Sequence, residues 1–151
     1  MMWHVQTFYP VRQHDRLIKD IEKAVNGEHS AVICYQKLAQ MAATPDIKKQ
    51  ILEIRQDEIR HFNTFINLFM SIAGRKPDIK ITEPCPDQYK TGLEFAFKDE
   101  QETVDFYLNI ADYTRDKTVK QAFKRAAADE QNHAVWFLYF LTKQPARDPF
   151  Q

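Results

Sequence analysis

Apolar residues recur every three or four positions through most of the chain. Ile21, Ala24, Val25, Ala31, Val32 and Tyr35 fall on one stripe, and Ile51, Ile54, Phe62 and Phe65 on a second. Leu93, Ala96, Phe97, Val104 and Tyr107 make a third, and Phe123, Ala126, Ala127, Ala134 and Phe137 a fourth. A period near 3.6 with polar residues between is the pattern of amphipathic helices. Asp15 is placed to cap a first helix over about 15–43. Thr44-Pro45 reads as a cap followed by proline at the first helical position, opening a second helix over 45–73 that stops at Gly74. Residues 74–87, "GRKPDIKITEPCPD", are the one sustained break. A third helix is expected over 87–115, and a fourth, capped by Asp116, over 117–143, with "QPARDPFQ" fraying beyond it.

Helices of about 28 residues are each ~42 Å long at 1.5 Å per residue. Their short links make helices 1–2 and 3–4 antiparallel hairpins. Fully extended, the break spans ~45 Å, enough to run the length of the bundle. The expected fold is therefore all-α. It is a single domain over 1–151, a four-helix bundle of two antiparallel hairpins joined by one long crossover between helices 2 and 3.

Each stripe carries a residue that does not belong in an apolar core. Glu28, Glu58, Glu100 and Glu130 sit on the inward faces near the helix midpoints, and His61 and His133 follow two of them at a spacing of three. A shift of 72 aligns the hairpins without a gap: Glu28 falls on Glu100, Tyr35 on Tyr107, Ala39 on Ala111, Asp57 on Asp129, Glu58 on Glu130, His61 on His133 and Phe65 on Phe137. Between 21–69 and 93–141, 11 of 49 positions are identical, and these seven pairs make up most of them. The repeat is therefore kept chiefly on or beside the core-facing stripe.

Four carboxylates at one level in an apolar interior are opposed by desolvation and by mutual repulsion. Arg55 is the one basic residue on those stripes, too little to neutralise four. Two divalent cations supply the missing charge, and two neutral imidazoles add nitrogen ligands without altering it. One Glu from each of two helices, with Glu-x-x-His from each of the other two, is the donor set known from dinuclear iron and manganese carboxylate centres. Asp57 and Asp129 are candidates to accept the second N–H of a ligating histidine from the opposite hairpin. Tyr35 and Tyr107 are candidates to hydrogen-bond a ligand carboxylate, or else amphipathic core residues. Cys34, His4, His14 and His29 lack matched partners and receive no role.

Composition narrows the rest. Hydrophobic residues make up 44% and glycines number three, which favours long helices over hairpins. Lys+Arg and Asp+Glu are both 21, so no basic surface calls for nucleic acid. No apolar run reaches membrane-spanning length, and "MMWHVQTFYPVRQHDR" does not read as a signal peptide. Cys34 and Cys85 show neither CxxC spacing nor the density of a secreted scaffold. The expectation is a reduced, cytoplasmic protein. "AVWFLYFL" (134–141) is apolar around the whole helix and "INLFMSI" (66–72) nearly so, which predicts a homodimer or larger homo-oligomer.

"GEHSAVICY", "DEIRH", "DEQETVDFY" and "DEQNH" resemble the four helix motifs of the ferritin-like superfamily, and within it of the rubrerythrin-like proteins, over roughly residues 14–143. The resemblance implies two iron ions, with manganese or zinc as alternatives, bridged by Glu58 and Glu130. Glu28 with His61 and Glu100 with His133 are the implied terminal ligands, and which pair shares a metal stays open. It implies an oxidoreductase, ferroxidase or peroxidase in type, acting on dioxygen or peroxide. The chain lacks the two CxxC pairs of a rubredoxin-like module, so electrons would come from a separate donor. Thr103 and Val104 stand where many relatives place a further carboxylate, with Glu102 to one side. The alternative is iron storage or buffering, or a structural metal-binding bundle, without turnover.

Overall fold

The computed structural model describes residues 8–143, with side chains from residue 12 onward. The expected fraying over 144–151, and His4, lie outside the described residues. Four helices follow one another: α1 Phe8–Met41, α2 Pro45–Ala73, α3 Tyr89–Tyr113 and α4 Lys117–Thr142. α1 packs along α2 and α3 along α4, and the hairpins meet through α1 against α3 and α2 against α4.

The capping chemistry sets several boundaries. Thr44 accepts from the Ile47 amide at 3.2 Å, and Pro45 opens the helix where a missing N–H does no harm. Gly74 closes α2 at φ 70, a left-handed conformation in which any side chain would be strained. Asp116 accepts from the Val119 amide at 3.0 Å. Two expectations are corrected. α1 begins at Phe8, so Asp15 lies inside the helix rather than at its cap; Pro10 falls in the first turn, where no intrahelical donor is required. α3 runs over Tyr89–Tyr113 rather than 87–115, because the backbone is extended at Gln88 before it and at Thr114 after it.

The core is split into two apolar halves. Ile21, Val25, Phe65, Phe69, Ile110 and Phe123 fill one end, where the Phe65 and Phe123 rings stack with centroids 4.3 Å apart. Leu38, Ile51, Ile54, Leu93, Phe137 and Phe140 fill the other. At that end Gly92 lets α3 approach α1, since a Cβ there would collide with the Leu38 side chain. The polar layer lies between the halves. Val135, Leu138 and Tyr139 of α4 stay exposed, while Phe137 and Phe140 beside them are buried. Among the described residues no helix is long and apolar enough to cross a membrane.

Residues 74–88 run back along α1 without regular structure. Cys34 and Cys85, expected as separate thiols, are joined in a disulfide between α1 and this crossover. The expectation of a reduced chain is thereby corrected for these two residues. The reason is geometric: Tyr89 lies against Ala43, just past the end of α1, and the four extended residues before it cover ~13 Å, the rise of about nine helical residues. That sets Cys85 level with a residue near position 34 of α1.

Candidate metal centre

All six expected donors meet in the polar layer. α1 contributes Glu28, α2 Glu58 and His61, α3 Glu100, and α4 Glu130 and His133; each glutamate is at most 2% exposed. A spacing of three places each Glu and His of α2 and α4 on one helical face. His61 Nδ1 lies 3.0 Å from Glu130 Oε1 and 3.5 Å from Glu28 Oε1. His133 Nδ1 lies 2.9 Å from Glu58 Oε1 and 3.5 Å from Glu100 Oε2. Two donor groups result, Glu28–Glu58–His61–Glu130 and Glu58–Glu100–Glu130–His133, each with its donor atoms within 4.8 Å of one another. Glu58 and Glu130 belong to both. The geometry groups Glu28 with His61 and Glu100 with His133, a pairing that sequence left open.

The supports cross from one hairpin to the other. His61 Nε2 faces Asp129 Oδ2 at 2.9 Å, and His133 Nε2 faces Asp57 Oδ2 at 2.8 Å. An Nε2–H donated to each aspartate leaves Nδ1 as the nitrogen turned to the cluster. The Tyr35 hydroxyl donates to Glu100, and the Tyr107 hydroxyl to Glu28. Both tyrosines are buried, so they serve as hydrogen-bond donors and core residues at once. Arg55 turns away from the cluster and donates to the Val32 carbonyl at 2.9 Å. Glu102 is exposed.

Burial dominates the electrostatics. It raises the Glu58 and Glu130 carboxyls well above the ordinary range, and the charges of neighbouring glutamates raise them further. For Glu100 burial acts in the same sense, but its interactions with Glu130, His133 and the Tyr35 hydroxyl prevail and lower it. Burial opposes charging of both imidazoles, yet the carboxylates win. His61 is raised by Glu28 and Asp129, and His133 is pushed up to about 12 by Glu100 and Glu58. Burial and adjacent carboxylates hold the Tyr35 and Tyr107 phenols well above their usual value.

The donor atoms themselves test whether a metal fits. Glu28 Oε2, Glu58 Oε1, His61 Nδ1, Glu100 Oε2, Glu130 Oε1 and His133 Nδ1 are all buried with no hydrogen-bond partner. An orphaned buried polar atom is destabilising by about 1–3 kcal/mol, more when charged. Six of them, one on each candidate ligand, converge on two overlapping points. Four carboxylates and two imidazoles are hard-to-borderline donors suited to a divalent first-row metal. The cluster can hold metal ions.

A cavity of about 70 Å³ reaches Glu28, Glu58 and Glu130 from the groove between α1 and α3. Thr82 and Glu83 of the crossover line it, as do Asp99 and Thr103 of α3. Asp99 is pushed up to about 9, first by burial and then by the hydrogen bond and charge of Glu83. Sequence reasoning missed Glu83, Asp99 and the disulfide. Only the crossover's path along α1, read residue by residue, would have pointed to them.

Residues 19–143 match the ferritin-like domain, and the chain belongs to that family. It is 54% identical over 135 residues to the uncharacterized protein YhjR of Bacillus subtilis (strain 168), covering 89% of this chain and 93% of that protein. Two solved structures share the fold at low identity. One is a hypothetical protein from Pyrococcus furiosus, with TM-score 0.73, 16% identity and 95% and 97% of the two chains covered. The other is a conserved hypothetical protein from Mycobacterium tuberculosis, with TM-score 0.74, 12% identity and 91% and 99% covered.

Proposed function

We propose that the chain is a rubrerythrin-like dinuclear iron oxidoreductase, whose two metals would be held by Glu28–His61 and by Glu100–His133, with Glu58 and Glu130 shared between them. The observation that carries this reading is the set of six unpartnered, buried donor atoms, two of whose residues are shared between both groups. Bound there, an iron pair would supply the electrons and the open coordination positions for reducing dioxygen or peroxide. Manganese or zinc fits the same donors, so the metal supplied in the cell decides the occupant.

The protein's own part is positioning and exclusion. Asp129 and Asp57 hold the imidazoles with Nδ1 inward. Tyr107 and Tyr35 fix one oxygen of Glu28 and of Glu100, leaving the other free to coordinate. Phe65 and Phe123 on one side and Phe137 on the other keep bulk water from the layer. At about 70 Å³ the cavity is small beside the ~300–1,000 Å³ of pockets that hold drug-sized ligands. That suits a diatomic oxidant better than a large organic substrate. Electrons to renew the ferrous state come, in this reading, from a separate cytoplasmic donor.

Stopped-flow mixing of the ferrous-loaded protein with oxygen and with peroxide tests the proposal. Oxidation of two irons per chain faster than free ferrous iron is expected, and the faster oxidant separates ferroxidase from peroxidase. If neither oxidant outpaces free iron, the catalytic reading is lost and metal binding without turnover replaces it. Exposed Val135, Leu138 and Tyr139 support a homodimer as part of the same reading. Light scattering checks it: a monomer removes that part, and a shell-sized particle turns the reading toward iron storage.

A further inference from the structure

The crossover is bound to α1 by side chains that have no part in the donor set. Asn26 Nδ2 donates to the Asp78 carbonyl at 3.1 Å, and its Oδ1 accepts from the Lys80 amide at 2.8 Å. Ser30 Oγ accepts from the Thr82 amide at 3.0 Å. Cys34 is bonded to Cys85, and Lys37 meets Asp87 at the surface. Positions 26, 30, 34 and 37 lie on one face of α1, so the extended segment is gripped at four successive heights.

Thr82 and Glu83 are the part of that segment that overlies the cavity leading to Glu28, Glu58 and Glu130. A second cavity, between α2 and α4, reaches only His61 of the donors and its partner Asp129. Among the described residues, the cavity that reaches the carboxylates thus lies under the crossover. Its hydrogen bonds are partly exposed, and water competes for them. The disulfide, three residues beyond Thr82, is the one hold that water does not contest.

We propose that residues 78–85 form a thiol-controlled gate over the carboxylate cluster, latched while Cys34 and Cys85 are bonded and released when they are reduced. The gate rests on reading the cluster as a metal site, and its ligands are a divalent cation and a small oxidant. Cys34 is buried and Cys85 only half-buried, so Cys85 is the more accessible residue of the pair. A thiolate of a small dithiol bonds to Cys85 Sγ as the S–S bond breaks, and Cys34 leaves as a thiolate and takes a proton. The reductant's second thiol then displaces Cys85, which also takes a proton. Two electrons and two protons pass to the protein, and the dithiol becomes a disulfide.

The test uses the full metal-free chain, untreated or treated with dithiothreitol, beside a Cys34→Ala/Cys85→Ala double variant that needs no reductant. Alkylation confirms two free thiols in the treated sample. On release, amide exchange at Lys80, Thr82 and Glu83 is expected to accelerate about tenfold or more while the mid-helix amides stay protected. Cobalt uptake, followed by visible absorbance, is expected to accelerate in step, to the same final two cobalt ions per chain. Unchanged exchange at these amides overturns the gate. So does an unchanged uptake rate with cobalt bound, or a loss of helix on reduction, which would make the disulfide a staple of the whole fold. Cobalt absent at equilibrium from both redox forms overturns the metal reading itself, and the gate with it.

Discussion

Hairpin α1–α2 and hairpin α3–α4 align with a shift of 72, and the positions that agree differ in purpose from those that do not. Glu28, Tyr35, Asp57, Glu58 and His61 have identical counterparts, and each meets a residue of the other hairpin in the polar layer. Asn26, Ser30, Cys34 and Lys37, which grip the crossover, fall on Lys98, Glu102, Phe106 and Asn109. None of those four keeps the donor, acceptor or thiol chemistry of its counterpart. A bundle with one crossover has one strap to hold, so the two-fold pattern is kept where both hairpins do the same work and is lost where only α1 has a partner to bind. The pseudo-symmetric layer and the one-sided strap are thus separable by mutation.

The shared glutamates break the symmetric layer most completely. Glu58 and Glu130 serve both donor groups, whereas Glu28 and Glu100 serve one each. Glu58→Ala is expected to abolish loading of both sites, while Glu28→Ala keeps about one cation per chain. Metal analysis after cobalt titration distinguishes them. Equal stoichiometry in the two variants would mean that Glu58 and Glu130 do not bridge.

Acid should unload the layer as well. In the metal-free protein burial raises Glu58 and Glu130, and carboxylates raise His61 and His133 in spite of burial. Groups raised in this way keep their protons to higher pH than usual, and cations must displace those that remain. Loading two cations should therefore release protons, up to about four if both glutamates and both imidazoles carry one. Apparent affinity then rises with pH and falls as pH drops, by up to about a hundredfold per cation for each unit. Calorimetry in buffers of differing ionisation enthalpy counts the protons; a count near zero would mean that the glutamates are already ionised and the imidazoles already neutral.

Most of this layer was legible before any coordinates, because buried charge is so unfavourable that its placement on apolar stripes speaks plainly. The 3.6-residue period located four helices, and Thr44, Gly74 and Asp116 bounded them through chemistry local to a few residues. The one-sided strap was not legible in the same way. Asn26, Ser30 and Cys34 look like ordinary residues on a helix, and their partners lie more than 50 positions away along an extended segment that has no period of its own. The start of α1 was misjudged for a related reason: Asp15 has a capping side chain, but nothing before it forces the helix to stop.

The aspartates behind the histidines offer a smaller, symmetric perturbation. Asp57→Asn and Asp129→Asn each remove the carboxylate that orients an imidazole of the opposite hairpin. Each should weaken metal binding about tenfold to a hundredfold with the fold intact. The flanking arginines differ, Arg125 approaching Asp129 at 3.0 Å and Arg60 contacting Asp57 from one turn away. Both pairs are exposed on the arginine side, so they should shift the two results only slightly. Competition with a chelator measures each affinity, and a tenfold gap between the variants would show that the hairpins are not equivalent at this layer.

The finest division comes from one matched pair of surface-side positions. Ser30 is buried, accepts from the Thr82 amide and donates to the Asn26 carbonyl at 2.9 Å, whereas Glu102, its counterpart, is exposed. In Ser30→Ala the Thr82 amide can turn to water because the strap there is partly open, so the loss should be about 1 kcal/mol rather than the larger penalty of a sealed donor. Glu102→Ala should stay within about 0.5 kcal/mol of the parent. Urea unfolding of the metal-free protein, with the disulfide intact, reads both. If Ser30→Ala leaves the midpoint unchanged yet speeds exchange at Thr82, the strap opens without the bundle and contributes nothing to its global stability. If neither quantity moves, Ser30 does not hold the strap, and the contrast between the hairpins at this position is one of sequence alone.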